Sequence, residues 1–138
     1  MGCDIHLYFE KKNANGEWEK IEIDPRLVPY DRYYPLFGFL AGVRDHDITA
    51  QFADRGIPDD SSIHKKLINE DIRCLLGDYG YTYATLYEIL QADWKKVDLH
   101  DTYFYIFCAY TLPLLTSSWG ILSDEDKRNI RVVMGFDN

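Results

Sequence analysis

The sequence predicts an α+β domain, and three observations carry the prediction. The first ten residues alternate, with Cys3, Ile5, Leu7 and Phe9 apolar and Asp4, His6, Tyr8 and Glu10 polar, the two-residue period of a strand. The last nine alternate again: Ile130, Val132, Met134 and Phe136 against Arg131, Val133 and Gly135. Between them the apolar spacing is mostly helical. Strands at both ends with helices between imply a small antiparallel sheet, the C-terminal strand pairing with an N-terminal hairpin and the helices packed on one face. At 138 residues, with no interdomain linker, residues 1–138 are expected to form a single domain.

The hairpin is set by Asn15-Gly16, because both residues tolerate the positive φ of tight hairpin turns. The return strand is expected over Glu17–Ile23, with Ile21 and Ile23 facing the core, and Asp24-Pro25 ends it. Residues 24–35, with three prolines, three tyrosines, Arg26 and Arg32, read as an irregular loop. Leu36–Val43 reads as a short apolar helix, followed by a polar loop, Arg44-Asp-His-Asp47. Gly56 and Pro58 set a turn, and Asp60 or Ser61 caps a helix over Ser62–Leu76. Ile63, Leu67, Ile68, Ile72 and Leu75 lie on one face of it, Cys74 packs as a small hydrophobe, His64 is exposed, and Gly77 stops it. Asp78–Thr82 reads as a tyrosine-bearing turn and Tyr83–Asp93 as a second helix, with Trp94 anchoring its exit. Asp101–Ser118 reads as a helix by its length, although Tyr-Phe-Tyr-Ile-Phe also suits a strand; Pro113 should end or kink it. Ser123-Asp-Glu-Asp126 is a capping signal for one more short helical turn.

Composition narrows the function classes. A formal net charge of −8 argues against direct binding to nucleic-acid backbone, which needs clustered Lys and Arg. It favours basic partners instead. Eleven tyrosines suit a protein-binding surface and equally a thick aromatic core. The odd, scattered set Cys3, Cys74 and Cys108 is no disulfide framework, and with no signal peptide ahead of the first strand a reducing cytoplasm is expected. His6 stands where an N-myristoylation signal needs Ser or Thr. The longest apolar run, 103–115, is too short to span a bilayer, so no membrane partner is expected.

Chemistry concentrates at the N-terminus. Asp4-x-His6 puts a hard oxygen and an imidazole on one strand face, within reach of one metal ion. With Cys3 the segment holds every usual zinc ligand type, although an ideal strand points Cys3 to the other face. A fourth ligand would come from Asp59, Asp60, His46, His64 or His100. Asp4-x-His6 also has the form of the first motif of a binuclear metallophosphoesterase, a metal-dependent phosphoester hydrolase. The partner motifs of that class are missing: Gly77-Asp78 runs into Tyr-Gly-Tyr, and there is no Asn-His dipeptide. No nucleophile elbow, Walker loop or dinucleotide fingerprint occurs, so no catalytic residue is assigned and a non-enzymatic role is expected.

The start Met-Gly-Cys-Asp-Ile-His-Leu-Tyr8 and the end Arg131-Val-Val-x-x-Phe-Asp-Asn138 resemble a family of small proteins encoded by phages and prophages. Between them, Arg32-Tyr-Tyr-Pro-Leu-Phe37, Leu-Ala-Gly-Val-Arg44, Arg-Gly-Ile-Pro-Asp-Asp-Ser61 and Thr-Leu-x-Glu88 extend the resemblance over most of the chain. Many of those relatives carry His-x-His-x-Trp where this chain has Tyr79-Gly-Tyr-Thr-Tyr83. The sequence is also similar to a zinc-containing member of the type II-A anti-CRISPR proteins, phage-borne inhibitors of Cas9. That resemblance implies a structural Zn2+, for which Cys3, Asp4 and His6 are the candidate ligands, and direct binding to Cas9 or its guide-RNA complex in the cytoplasm of the bacterial host.

Overall fold

A computed structural model describes residues 2–138. Among them four strands form one antiparallel sheet in the order β2-β1-β4-β3, with β1 Asp4–Lys12, β2 Trp18–Lys20, β3 Tyr79–Thr85 and β4 Ile130–Asp137. The helices are α1 (Tyr34–Ala41), α2 (Ile63–Lys66), α3 (Ile72–Leu76), α4 (Leu86–Gln91), α5 (Tyr103–Ile106), α6 (Leu112–Thr116) and α7 (Asp124–Arg128). The α+β class holds, as does the pairing of the two ends of the chain, with Ile5 opposite Phe136 and Phe9 opposite Val132.

That register puts Ile5, Phe9, Val132, Met134 and Phe136 on one face, which α1, α4 and the helical run 103–116 cover. Aromatic rings lock the layers: Phe37 against Phe136 at 5.2 Å, Phe9 against Phe107 at 5.2 Å, and Phe39 against Trp94 at 4.6 Å. Trp94 anchors the chain after α4 as expected, its indole donating to the Ile89 carbonyl.

Helices on one face only is the first expectation to be corrected. The opposite face is covered too, where Tyr8, Val133, Ile63 and Leu76 form a second, smaller core beneath α2 and α3. β4 is therefore buried on both faces and lies inside the sheet, between β1 and β3. Gly135 allows the close packing, since a Cβ there would overlap the Leu76 carbonyl.

Other boundaries move for local reasons. The return strand keeps three residues rather than seven. The Ile21 amide donates to the Phe9 carbonyl, and the chain then leaves the sheet, although Ile21 and Ile23 still pack on the core. The helix expected over 62–76 is two helices, because Asp71 accepts from the Arg73 amide and restarts the chain as α3; Ile68 in the gap is exposed. Cys74 is exposed rather than packed. The tyrosine-bearing turn at 78–82 is β3. Alternation puts Thr82 and Ala84 toward the large core and Tyr81 and Tyr83 toward the small one, and the helix begins three residues late, at a Thr85–Glu88 capping box. Pro113 does not end its helix. A π turn over Phe107–Thr111 precedes it and absorbs the hydrogen bond that proline cannot make. The capping signal at Ser123 holds, opening α7 with a reciprocal Ser123–Asp126 box.

Candidate functional site

The even-numbered side chains of β1 all point to the α2–α3 face, and each has a partner there. Asp4 accepts from Arg32 Nε at 2.6 Å and Nη2 at 3.3 Å, and this hydrogen-bonded guanidinium holds its carboxyl below the usual range. His6 Nε2 lies 2.7 Å from Asp137 Oδ2 on β4. Tyr8 hydroxyl meets Ser62 Oγ at 2.9 Å, and burial pushes the phenol up. Glu10 is 0% exposed, on the face that helices on one side only would have left open.

Glu10 is buried because every lone pair has a donor. Its Oε1 accepts from Arg131 Nε and Ser61 Oγ, both at 3.0 Å, and its Oε2 from the Ser62 amide at 2.7 Å and Ser62 Oγ at 2.6 Å. Ser62 gives its one hydroxyl proton to Glu10 and so accepts from Tyr8. The Arg131 guanidinium lies 3.8 Å from the Trp18 ring centroid, and its Nη2 is 2.9 Å from Asp60 Oδ1, a charge contact without hydrogen-bond alignment. This network ties β1, β4 and the start of α2 together.

The three candidate zinc ligands, Cys3, Asp4 and His6, do not converge. Asp4 and His6 share a face, each engaged by its own partner. Cys3 is buried in the large core on the other face, with its sulfur 3.5 Å from the Tyr79 hydroxyl. As placed, the set does not fit one ion, because Cys3 joins the others only if the start of β1 turns over. Among the described residues no three His, Cys, Asp or Glu side chains group as a metal site.

The suggested fourth ligands are scattered. His64 Nε2 lies 3.0 Å from the Pro58 carbonyl, Asp60 faces Arg131, and His100 sits between Asp98 and Asp101. Asp59 and His46 are exposed on loops. A hydrolase on Asp4 and His6 would need further ligands beside them; among the described residues Asp137 meets His6, and the exposed Cys74 lines the same cavity as Asp4 and His6.

The surface that sequence reading missed is on the far side of the helical run 103–116. Phe104, Phe107, Cys108 and Leu112 face the core, while Tyr103, Tyr110 and Leu114 on the outer side are 69, 65 and 68% exposed. Ile106 and Leu115 are exposed beside them, and Gly120 in the following turn lies against Leu114, bringing in exposed Trp119 and Ile121. Tyr103 and Ile106 also form one wall of a groove of about 330 Å³, with Leu27 and Tyr30 from the proline-rich loop opposite. The signal was present in the sequence. A helix apolar on all sides demands burial all round, and one sheet face covers only one side. No described helix is long and apolar enough to cross a membrane.

Compared with known proteins, the chain matches no family model, no curated protein and no solved structure.

Proposed function

We propose that this chain is a non-enzymatic inhibitor that binds Cas9, alone or with its guide RNA, in the cytoplasm of the bacterial host and keeps target DNA from loading. The observation that carries the reading is the apolar stripe of Tyr103, Ile106, Tyr110 and Leu114 on an otherwise acidic molecule. Exposed contiguous apolar surface marks a protein–protein contact, and tyrosine-rich surface supplies area at small entropic cost. A net charge of −8 suits it to a partner whose DNA channel is basic. The sequence resemblance names Cas9 as that partner.

The test is a pull-down with purified type II-A Cas9 and guide RNA, followed by a DNA cleavage assay. A stable complex and cleavage that stops at stoichiometric inhibitor support the reading. No complex, with undiminished cleavage at excess protein, sinks it. The structural zinc implied by the resemblance is tested by elemental analysis of protein purified without added metal. One zinc per chain, lost in His6→Ala together with thermal stability, supports it; metal-free protein removes it from the proposal.

A further inference from the structure

One end of the stripe displays a tryptophan. Trp119 is 87% exposed, although tryptophan is on average a highly buried side chain. It does not hang on a loose tail. Its turn is closed by Ser117, whose hydroxyl donates to the Ile121 carbonyl at 2.9 Å and accepts from the Trp119 amide at 3.4 Å. Gly120, at φ +69°, lets the turn lie against Leu114, where a Cβ would clash with the leucine Cδ2. The other end of the stripe holds the groove of about 330 Å³, with Leu27 and Tyr30 on one wall and Tyr103 and Ile106 on the other. A volume at the small end of the ligand-pocket range suits one large side chain, and walls of aromatic and aliphatic groups suit an indole. The same molecule thus carries an apolar knob and an apolar hole at opposite ends of one stripe.

We propose that the free chain pairs with a second copy of itself through the stripe. The two 103–116 runs lie antiparallel about a two-fold axis near Tyr110, and Trp119 of each copy enters the groove of the other. A two-fold interface demands self-complementarity, in which residue i meets residue j and j meets i, and a knob and a hole on one surface supply it. Tyr110 lies between them, 65% exposed, where it would meet its own counterpart. The area is sufficient. At roughly 200 Å² per large side chain, the exposed parts of Tyr103, Ile106, Tyr110, Leu114, Trp119 and Ile121 hold roughly 800 Å², about what each partner brings to a standard interface.

Charge sets the direction. Asp31, Asp98 and Asp101 gather at the Tyr103 end. The Leu115 end holds Lys11, Lys12, Lys20 and Glu19, with Lys11 Nζ 3.5 Å from the Thr116 carbonyl. Parallel runs would set carboxylates against carboxylates, whereas antiparallel runs bring each acidic end toward the other copy's lysines. The net charge of −8 on each copy still opposes association, so the dimer is weak and yields to any tighter partner for the same surface. The inference needs the stripe to be a docking surface and does not need Cas9.

The test is sedimentation velocity of the whole chain alone over a concentration series. The mass should rise from one chain to two and stop there. Trp119→Ser removes the knob, and Leu27→Asp spoils the hole; both positions are exposed, and unchanged circular dichroism verifies each fold. Each variant alone should associate at least about tenfold more weakly than wild type. Mixed together they form a heterodimer with one intact knob and hole, which should be tighter than either variant alone. Ile68→Ser, which removes an exposed apolar side chain between α2 and α3, should associate as wild type. A chain that stays monomeric up to about 1 mM overturns the proposal, as does a mass that grows past two chains. Equal weakening in Ile68→Ser, or a mixture no tighter than its components, overturns the antiparallel knob-and-hole arrangement. None of these readings involves Cas9, so a monomeric chain that still binds Cas9 rejects the dimer alone, and a dimer that binds no Cas9 rejects the other reading alone.

Discussion

The even-numbered face of β1 and the outer side of the helical run 103–116 break the usual burial pattern in opposite directions. On β1, polar groups are drawn inward and partnered: Tyr8 and Glu10 are buried, Glu10 accepting four hydrogen bonds, and the part-exposed His6 meets Asp137. On the helical run, apolar groups are exposed: Tyr103, Tyr110 and Leu114 face outward. A buried polar group with all its partners inside the chain has been used up in folding. An exposed apolar side chain has free energy of burial still to be gained from another molecule. The difference separates the Asp4-x-His6 motif, engaged by partners within the chain, from a surface of exposed tyrosines and aliphatic side chains.

The largest effect should come from breaking the buried network. Glu10→Ala leaves Arg131 buried with only the exposed Asp60 carboxylate beside it, and urea denaturation should show a loss of about 3–5 kcal/mol. Replacing both together, Glu10→Leu with Arg131→Met, should recover most of that loss, because the desolvation of both charges is then avoided. A single variant costing less than about 1 kcal/mol would show that the network is not the staple described.

The stripe should behave in the opposite way. Tyr110→Ser with Leu114→Ser should leave stability within about 0.5 kcal/mol of wild type, as exposed positions do. The same pair should weaken Cas9 binding by more than about tenfold, the effect expected of interface anchors. A large loss of stability with unchanged binding would reverse the comparison between the two regions.

A smaller effect separates the ion pairs. Arg55 donates two hydrogen bonds to Glu88 and, ahead of the burial that opposes it, draws its carboxyl below an ordinary 4.5. The unfolded chain therefore takes up this proton at higher pH than the folded one. The stabilisation is full above about 4.5 and is lost as pH falls through the folded value. Glu88→Gln should flatten the acid limb of the stability profile by less than about 1 kcal/mol, since both side chains are about a third exposed. The smallest effect belongs to Asp4→Asn, which removes an exposed contact with Arg32. Its change in melting temperature should fade in about 1 M salt.

Much of this fold could be read from the chain. The period of two at each terminus located β1 and β4, and Ser123 and Trp94 marked helix ends where they occur. What could not be read depended on contacts distant in sequence. Residues 79–82 looked like a turn because glycines flank the tyrosines, and 83–85 like the start of a helix because the apolar spacing beyond them is helical; pairing with β4 makes both one strand. Glu10 looked solvated because Ser61, Ser62 and Arg131, which satisfy it, lie 51 to 121 residues away. The Asp4–His6 juxtaposition was legible from the strand period, whereas the capture of each by Arg32 and Asp137 was not. The stripe was hidden because periodicity shows that a helix is apolar on several sides and does not show which side the fold leaves uncovered.

The most direct test of the central claim is hydrogen exchange of this chain with and without the Cas9–guide RNA complex. Slowed exchange across 103–116 and the Trp119–Ile121 turn, with β1 unchanged, is the predicted result. Protection confined to β1 and the α2–α3 face, with 103–116 exchanging as in the free protein, would contradict it.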